Sequence, residues 1–216
     1  MTSGGGLSDP STGGSSTLRP YIKRKKSSFG DTKIAVLGQH GVGKSALSVR
    51  FLTKRFIGEY DQTIESKYKY SAVIDGETVT IEVLDTISDK DDCGGRDDVL
   101  KWADGYMLVY TVVSRKSFDS LYELKRKIDD IKKGSTVPII VVGNKCDLAH
   151  MRQVTREEGQ QMAEEFGCSL VETSASEDLK DVTDAFFQLC REVIDFKRKS
   201  RSFFDRVIGA FGLEKS

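Results

Sequence analysis

The chain has 216 residues, with 33 basic and 33 acidic side chains and a formal net charge of zero. This balance provides no overall positive field that would favour nucleic acid as a partner. No apolar run approaches membrane-spanning length, and the N-terminus lacks the apolar core of a secretory signal. The length suits one well-buried domain with a tail at each end.

The four cysteines lie far apart and form no C-x-x-C pair, which argues against a disulfide framework or a metal knuckle and favours a reducing, cytosolic compartment. Residue 2 is threonine, and no cysteine lies near the C-terminus, so the patterns for myristoylation and prenylation are absent. Any membrane contact would therefore be peripheral.

Composition divides the chain into three parts. Residues 1–30 are rich in Gly, Ser and Thr, contain the basic cluster 23–26, and are predicted to be a disordered basic tail. Residues 31–197 alternate between strand and helix patterns and form the predicted domain. Residues 198–216 are predicted to be a basic amphipathic C-terminal tail.

The order of the predicted elements indicates an α/β fold. It has a six-stranded, mostly parallel sheet with one antiparallel strand and with helices on both faces. Ligands of such folds bind at the carboxyl ends of the strands. The predicted strands are 33–37, 67–74, 78–84, 106–112, 139–142 and 169–172, and the predicted helices are 44–54, 99–103, 116–132, 155–166 and 179–197.

The first predicted strand runs into a glycine-rich turn that ends in Lys44 and Ser45, at the start of a helix-forming stretch. This is the P-loop pattern G-x-x-x-x-G-K-S, with a strand before it and a helix after it. Glycines permit a tight turn whose backbone N–H groups point at phosphate oxygens, and the helix N-terminus adds its positive dipole end. Lys44 would reach the outer phosphates, and the Ser45 hydroxyl would bind Mg²⁺.

The sequence therefore predicts a site for a nucleoside di- or triphosphate, the alternative being a fortuitous glycine-rich turn. The predicted phosphate-binding residues are Gly38, Gln39, His40, Gly41, Val42, Gly43, Lys44, Ser45 and Ala46.

A second motif, Asn144-Lys145-Cys146-Asp147, follows the apolar strand 139–142. A carboxylate accepts two hydrogen bonds from guanine, at its ring N–H and its amino group, whereas adenine presents an acceptor at the first position. Asp147 therefore indicates that the site selects guanine over adenine, and the aliphatic stem of Lys145 can cover the face of the base. Alone the tetrapeptide would be an ordinary polar loop, but together with the P-loop it is specific. The loop Ser174, Ala175 and Ser176 can add backbone donors for the guanine carbonyl, although alone it would indicate only a helix cap.

Together these motifs resemble the Ras branch of the Ras superfamily of small GTPases, from about residue 33 to residue 196. Residues 51–65 resemble the first switch of that branch. The resemblance implies the P-loop small GTPase fold, GTP and GDP with Mg²⁺ as ligands, and a signalling switch between the GDP and GTP forms. It also implies a monomer whose effector, exchange and activating proteins bind near 56–66 and 85–103.

The resemblance also implies roles for single residues. Thr63 would be the second protein ligand of Mg²⁺ and a γ-phosphate sensor, Tyr60 would close over the phosphates, and Phe56 would pack edge-on against guanine. Without a P-loop, Phe56 would be interpreted as a core aromatic and Thr63 as a plain loop residue. Asp85 would hold an Mg²⁺-bound water. The implied metal set is Ser45, Thr63 and Asp85, and the candidates for the hydrolytic step are Lys44, Thr63 and Asp89.

The second switch departs from the family pattern Asp-Thr-Ala-Gly-Gln-Glu, because this chain has Asp85-Thr86-Ile87-Ser88-Asp89-Lys90. Ser88 replaces a glycine and carries a Cβ that restricts the backbone. Asp89 replaces the glutamine that orients the attacking water, and its negative charge would approach the triphosphate. Slow hydrolysis is therefore expected. The alternative is a module that stays loaded with GTP and hydrolyses little or none.

Two further positions depart from the family pattern. His40 stands where the family carries glycine, and its side chain would obstruct an activating arginine, donate to a phosphate when protonated, or simply be solvated. Ser176 replaces the usual lysine of the base loop.

In the C-terminal tail, the basic run 197–201 precedes an apolar stripe, which predicts either an interfacial membrane helix or packing on the domain or a partner. The stripe consists of Phe203, Phe204, Val207, Ile208 and Phe211.

Overall fold

The computed structural model describes residues 25–26, 30–57, 65–88, 95–133 and 135–210, with the backbone alone for 25–26 and 204–210. The strands are β1 (Lys25–Lys26), β2 (Thr32–Leu37), β3 (Ser66–Ile74), β4 (Glu77–Asp85), β5 (Gly105–Thr111), β6 (Ile139–Asn144) and β7 (Ser169–Glu172). The helices are α1 (Lys44–Thr53), α2 (Asp97–Trp102), α3 (Arg115–Ile131), α4 (Arg156–Phe166) and α5 (Leu179–Ala210), with a 3₁₀ turn at Ala149–Met151.

The six longer strands lie in the order β3-β4-β2-β5-β6-β7. Among the described strands, the β3–β4 hairpin alone is antiparallel, and its tight turn at Asp75 and Gly76 has positive φ at both residues. The other pairs of described strands, β1–β4, β2–β4, β2–β5, β5–β6 and β6–β7, are parallel. This topology confirms the predicted six-stranded sheet with one antiparallel strand.

Alternate residues of β2 show how both faces of the sheet are covered. Ile34 and Val36 belong to a core cluster that contains residues of α1 and α5, whereas Ala35 and Leu37 belong to a second cluster with residues of α2, α3 and α4. Because successive side chains of a strand point to opposite faces, the apolar run 34–37 of β2 contributes to both cores. The predicted helices on both faces are therefore confirmed.

Three of the helix ends follow from local sequence. Ser114 caps α3 by accepting from the Ser117 amide, and Thr155 and Glu158 form a reciprocal capping box at the start of α4. Gly167 ends α4 in the left-handed conformation. These signals explain why the predicted bounds of α3 and α4 differ from the observed ones by only a residue or so.

Two described elements extend beyond the predicted strands and helices, one near each end of the chain. Lys25 and Lys26, within the segment predicted to be disordered, pair with Glu77 and Thr78 of β4, since backbone pairing requires no apolar side chain. Helix α5 continues past the predicted end at residue 197 to Ala210, because neither glycine nor proline occurs between residues 198 and 208. No described helix has the length and apolar character of a membrane span.

Candidate functional site

The loops that follow β2, β4, β6 and β7 meet at the carboxyl edge of the sheet around a cavity of about 390 Å³. This is the edge at which ligands of open α/β sheets bind. The cavity therefore brings together the P-loop, the start of the second switch and both predicted base loops. Its lining residues are His40, Gly41, Gly43, Lys44, Ser45, Ala46, Phe56, Thr86, Ile87, Ser88, Asn144, Lys145, Asp147, Leu148, Ser174, Ala175 and Ser176.

The P-loop wraps the start of α1 and turns through three glycines with positive φ, Gly38, Gly41 and Gly43. A Cβ on Gly38 would lie 2.1 Å from the Val109 carbonyl oxygen, and one on Gly43 would lie 2.2 Å from Asn144 Nδ2. These two glycines are therefore needed for close approach to neighbouring elements as well as for their backbone conformation. A Cβ on Gly41 would meet nothing within 4 Å.

Lys44 is buried inside this loop, with only 7% of its surface exposed. Its ammonium group donates to the carbonyl oxygens of Gly38 at 2.9 Å and Gln39 at 3.0 Å, and to Ser88 Oγ at 2.7 Å. A buried ammonium held by carbonyl oxygens at the N-terminus of a helix is suited to binding anionic phosphate.

Asp85 ends β4 beside the P-loop and is 4% exposed. Burial raises the pKa of its carboxyl above the ordinary value, and Glu65 acts in the same direction, while a hydrogen bond with Ser45 and the Lys44 charge oppose the rise. Asp85 Oδ1 has no hydrogen-bond partner among the described residues. An orphaned buried carboxylate oxygen next to a serine hydroxyl fits the oxygen ligands of Mg²⁺, directly or through water.

Asn144 joins the P-loop to the base loop. Its Nδ2 donates to the Val42 carbonyl at 2.8 Å, and its Oδ1 accepts from the Ala175 amide at 3.1 Å. Lys145 has a positive φ, and its ammonium group donates a hydrogen bond to the Gly41 carbonyl oxygen at 2.8 Å. The Lys145 stem therefore bridges the base loop and the P-loop at the cavity, where it can cover a planar base.

The remaining base-end residues surround the same space. Asp147 lines the cavity, as does half-exposed Phe56. Ser174 Oγ lies 2.8 Å from Ser176 Oγ, which fixes the loop around buried Ala175. A purine placed here would meet a carboxylate and a small-residue loop.

Three residues that were predicted to bind phosphate do not line the cavity and instead accept hydrogen bonds through their backbone carbonyls. Gly38, Gln39 and Val42 offer backbone carbonyls to Lys44 and Asn144, and Val42 packs into the core. Exposed His40 lies at the cavity edge. Tyr60, Thr63 and Asp89 lie outside the described residues.

Besides Ser88, three lining residues were not predicted to bind the nucleotide: Thr86, Ile87 and Leu148. Thr86 donates its hydroxyl to the Val36 carbonyl at 2.8 Å, so this side chain anchors the switch to β2. In the sequence, the one feature that could have indicated them is that they directly follow predicted site residues. Leu148 follows Asp147, and Thr86 and Ile87 follow Asp85. Ser88 was noted for its Cβ, but its hydroxyl contacts were not predicted.

Comparisons with known proteins point to one family. The model of the Ras family matches residues 33–195. The protein named Ras-related and estrogen-regulated growth inhibitor from Bos taurus is 49% identical over 163 residues, which cover 76% of this chain and 81% of that protein. Its Homo sapiens counterpart is 48% identical over 163 residues, which again cover 76% of this chain and 81% of that protein. The sequence of the first-switch stretch 51–65 predicts a resemblance to this relative, and these identities confirm it.

Proposed function

Because the chain belongs to the Ras family of small GTPases, we propose that it is a GTP-binding switch that alternates between GDP and GTP forms and hydrolyses GTP slowly. The observation that carries this proposal is the cavity in which Asp147 and the buried ammonium of Lys44 face one space. A guanine base held at Asp147 extends its phosphates across the P-loop toward Lys44.

Different residues are proposed to bind the phosphates, the base and the metal ion. Backbone N–H groups of 41–46 and the Lys44 ammonium hold the phosphates, while Phe56, Lys145 and Asp147 hold the base, with Ser174, Ala175 and Ser176 around its carbonyl. Ser45 and Asp85, together with Thr63, would hold Mg²⁺, which neutralises charge on the phosphate oxygens when bound. Effectors, exchange factors and activating proteins are proposed to bind the monomer near 56–66 and 85–103.

Slow hydrolysis is inferred from the second switch and the P-loop. In the sequence, Asp89 stands where the family has the glutamine that orients the attacking water, and His40 adds a side chain at the cavity edge. The charge of Asp89 does not suit the transition state, in which negative charge spreads over the γ-phosphate oxygens, and the His40 side chain would obstruct an activating arginine.

Asp147→Asn tests the assigned base. The change replaces a carboxylate acceptor with an amide and leaves the donors of guanine poorly matched, so guanine nucleotide affinity should fall by at least about 100-fold. Xanthine presents the complementary acceptor, so xanthine nucleotide affinity should rise. Competition binding with both nucleotides measures the two effects.

Asp130→Asn is the matched control, because it removes the same charge from an exposed ion pair with Arg126, outside the cavity. It should leave both affinities unchanged. Equal losses of guanine and xanthine binding in Asp147→Asn would rule out Asp147 as the base-selecting residue.

The second candidate function is a module that stays loaded with GTP and does not cycle. It is favoured by the sequence of the second switch, in which the glycine and glutamine of the family are both replaced. Release and identification of the nucleotide from freshly purified protein separates the two candidates. GDP supports a cycling switch, and GTP supports the loaded module.

For localisation, we propose a cytosolic protein with weak peripheral contact to anionic membrane surfaces. The support is the C-terminal part of α5, where Lys199 and Arg201 adjoin Phe203, whose surface is 68% exposed. Basic residues beside an aromatic group are typical of helices that lie in the membrane interface.

A further inference from the structure

Two basic clusters lie at opposite ends of the sequence. The N-terminal cluster is Lys23-Arg24-Lys25-Lys26, the C-terminal cluster is Lys197-Arg198-Lys199-Ser200-Arg201, and neither contains an acidic residue. Both reach Glu77, the first residue of β4. Lys25 of β1 is its backbone partner, and Arg198 donates a hydrogen bond to its carboxylate at 3.2 Å. The fold therefore brings the two clusters to one corner of the sheet, which we call the basic corner.

The path of the backbone keeps the N-terminal cluster at this corner. Strand β3 pairs with Glu77 and Thr78 from one side, so β1 lies on the other side of β4, in line with β2. Asp31 follows Lys26 by five residues, and its carbonyl oxygen accepts from Lys197 Nζ at 2.9 Å. Because an extended chain spans at most about 3.6 Å per residue, Lys26 lies within roughly 18 Å of Asp31. The two clusters are therefore neighbours.

The basic corner has an excess of positive charge. Five acidic side chains around it are in ion pairs with basic ones: Asp31–Lys69, Asp75–Arg191, Glu77–Arg198, Asp195–Arg198 and Asp104–Lys197. Of the eight basic residues in the two clusters, Lys197 and Arg198 belong to these pairs. The other six add positive charge that these acidic groups do not balance, and this charge complements an anionic surface.

The basic corner lies at the edge of the sheet opposite the nucleotide cavity. Glu77 begins β4 and Asp85 ends it beside the P-loop, so the strand separates them by roughly 26 Å at about 3.3 Å per residue. Helix α5 reaches the corner at Lys197 and continues to Ala210, roughly 20 Å farther at about 1.5 Å per residue. Exposed Phe203 lies on this continuation. A surface that contacts the corner therefore leaves the cavity on the far side of the domain.

We propose that the N-terminal and C-terminal clusters form one two-part surface that binds an anionic membrane and holds the nucleotide cavity on the side away from the bilayer. This proposal rests on the peripheral membrane contact proposed above, to which it adds the N-terminal cluster and the orientation. Charges carried by one folded unit act on the membrane together, and the aromatic group of Phe203 adds an apolar contact. In this orientation the proposed partner surfaces near 56–66 and 85–103 stay accessible to proteins in solution.

Lys25→Gln combined with Lys26→Gln, the β1 variant, tests the N-terminal cluster in the full chain. The matched control is Arg126→Gln combined with Lys127→Gln, which removes two positive charges from exposed ion pairs of α3. Binding is measured by co-sedimentation with vesicles of phosphatidylserine and phosphatidylcholine at low salt. The β1 variant should bind about 10- to 30-fold more weakly than the wild type, which is the scale of two basic residues near an anionic surface. The control variant should bind nearly as well as the wild type.

Hydrogen exchange of the wild-type protein tests the orientation without any substitution. Vesicles should slow exchange in residues 23–31 and 197–210 and should leave exchange in the P-loop, residues 38–46, unchanged. Slower exchange in the P-loop would overturn the proposed orientation.

The vesicle experiment separates this proposal from the membrane contact on which it rests. If the wild type binds and the β1 variant binds as tightly, or if the β1 and control variants lose equal affinity, the N-terminal cluster is not part of the surface. Either result overturns this proposal and leaves the contact through α5 standing. If the wild type does not bind at low salt, the membrane contact and this proposal are overturned together.

Discussion

Asn144 shows how one side chain can build a site from three separate segments. Its amide donates to Val42, 102 residues away, and accepts from Ala175, 31 residues away. Gly43 completes the arrangement, because any Cβ there would collide with the same amide. These contacts of Asn144 join the P-loop to the two base loops, an arrangement suited to recognising phosphate and base together.

At the same scale, hydrolysis should respond to the two residues that depart from the family pattern. Single-turnover GTP hydrolysis by the wild-type protein should be no faster than roughly 10⁻⁴ per second. His40→Gly combined with Asp89→Gln should raise it, because a side chain is removed from the cavity edge and a neutral group that can orient water replaces a carboxylate. Phosphate release from protein preloaded with GTP measures the rate.

The control for this double variant is His150→Gly, which removes an exposed histidine of the 3₁₀ turn outside the cavity. It should leave the rate unchanged. A wild-type rate far above the stated scale would mean that another group positions the water and that the interpretation of the second switch is wrong.

The residue-scale chemistry was predictable only where it is local. The P-loop has its glycines, lysine and serine within eight consecutive positions, so spacing alone indicates phosphate binding. The bridges made by Asn144 and the hydroxyl contact of Ser88 depend on where distant segments meet. No periodicity or motif encodes those distances.

At the scale of elements, α3 and α4 are joined by one carboxylate. Glu158 of the α4 capping box accepts two hydrogen bonds from Arg115 of α3, at 2.8 and 2.9 Å, and one from the Thr155 amide at 2.8 Å. The Arg115 guanidinium, followed by the Thr155 amide, lowers the pKa of this carboxyl to about 2. Folding therefore favours the ionised form of Glu158.

This shift predicts how a variant depends on pH. A carboxyl whose pKa is lower in the folded state stabilises it fully above the ordinary pKa near 4.5, and the contribution fades as pH falls toward about 2. Glu158→Gln should therefore lower the free energy of unfolding more at about pH 7 than at about pH 3.5. Urea unfolding midpoints at the two pH values measure the difference.

Glu157→Gln serves as the control, since it removes the same charge from the same first turn of α4 without breaking the contact with Arg115. Its effect should be smaller at both pH values. If Glu158→Gln lowers the free energy of unfolding by the same amount at both pH values, the ionised carboxylate does not provide the stability.

At the scale of the whole molecule, α5 connects the domain to its C-terminal extension. Phe186 stacks on Phe51 of α1 with ring centroids 4.3 Å apart. Farther along, Lys197 donates to the Asp31 carbonyl and to Asp104, and Arg198 pairs with Glu77. The helix is therefore held to the sheet as far as residue 198 by described contacts.

The architecture of the domain was more predictable than its ends. Apolar strands and their alternation with helices follow from patterns within each segment, and the sheet topology then follows from connection rules. The predicted end of α5 at residue 197 is too early, because the change to a basic composition there is not a structural boundary. The stretch after residue 197 contains no proline, and its first glycine is Gly209, next to the last helical residue Ala210.

These contacts determine how the last prediction, on membrane binding, must be tested. A chain truncated after Lys199 keeps the contacts of Lys197 and Arg198 but lacks Arg201 and Phe203. The full chain should co-sediment with phosphatidylserine vesicles at low salt and dissociate at high salt, since each basic residue near an anionic surface contributes about 1 kcal/mol that salt screens.

The truncated chain should not co-sediment, and Phe203→Ser in the full chain should weaken binding, because it removes an exposed aromatic group that can enter the interface. Lys180→Ser is the matched control, as it removes a charge at the other end of α5, where Lys180 pairs with Asp184. If the truncated chain binds as well as the full one, the extension is not the membrane contact. If neither binds at low salt, the peripheral membrane contact proposed for this protein is wrong.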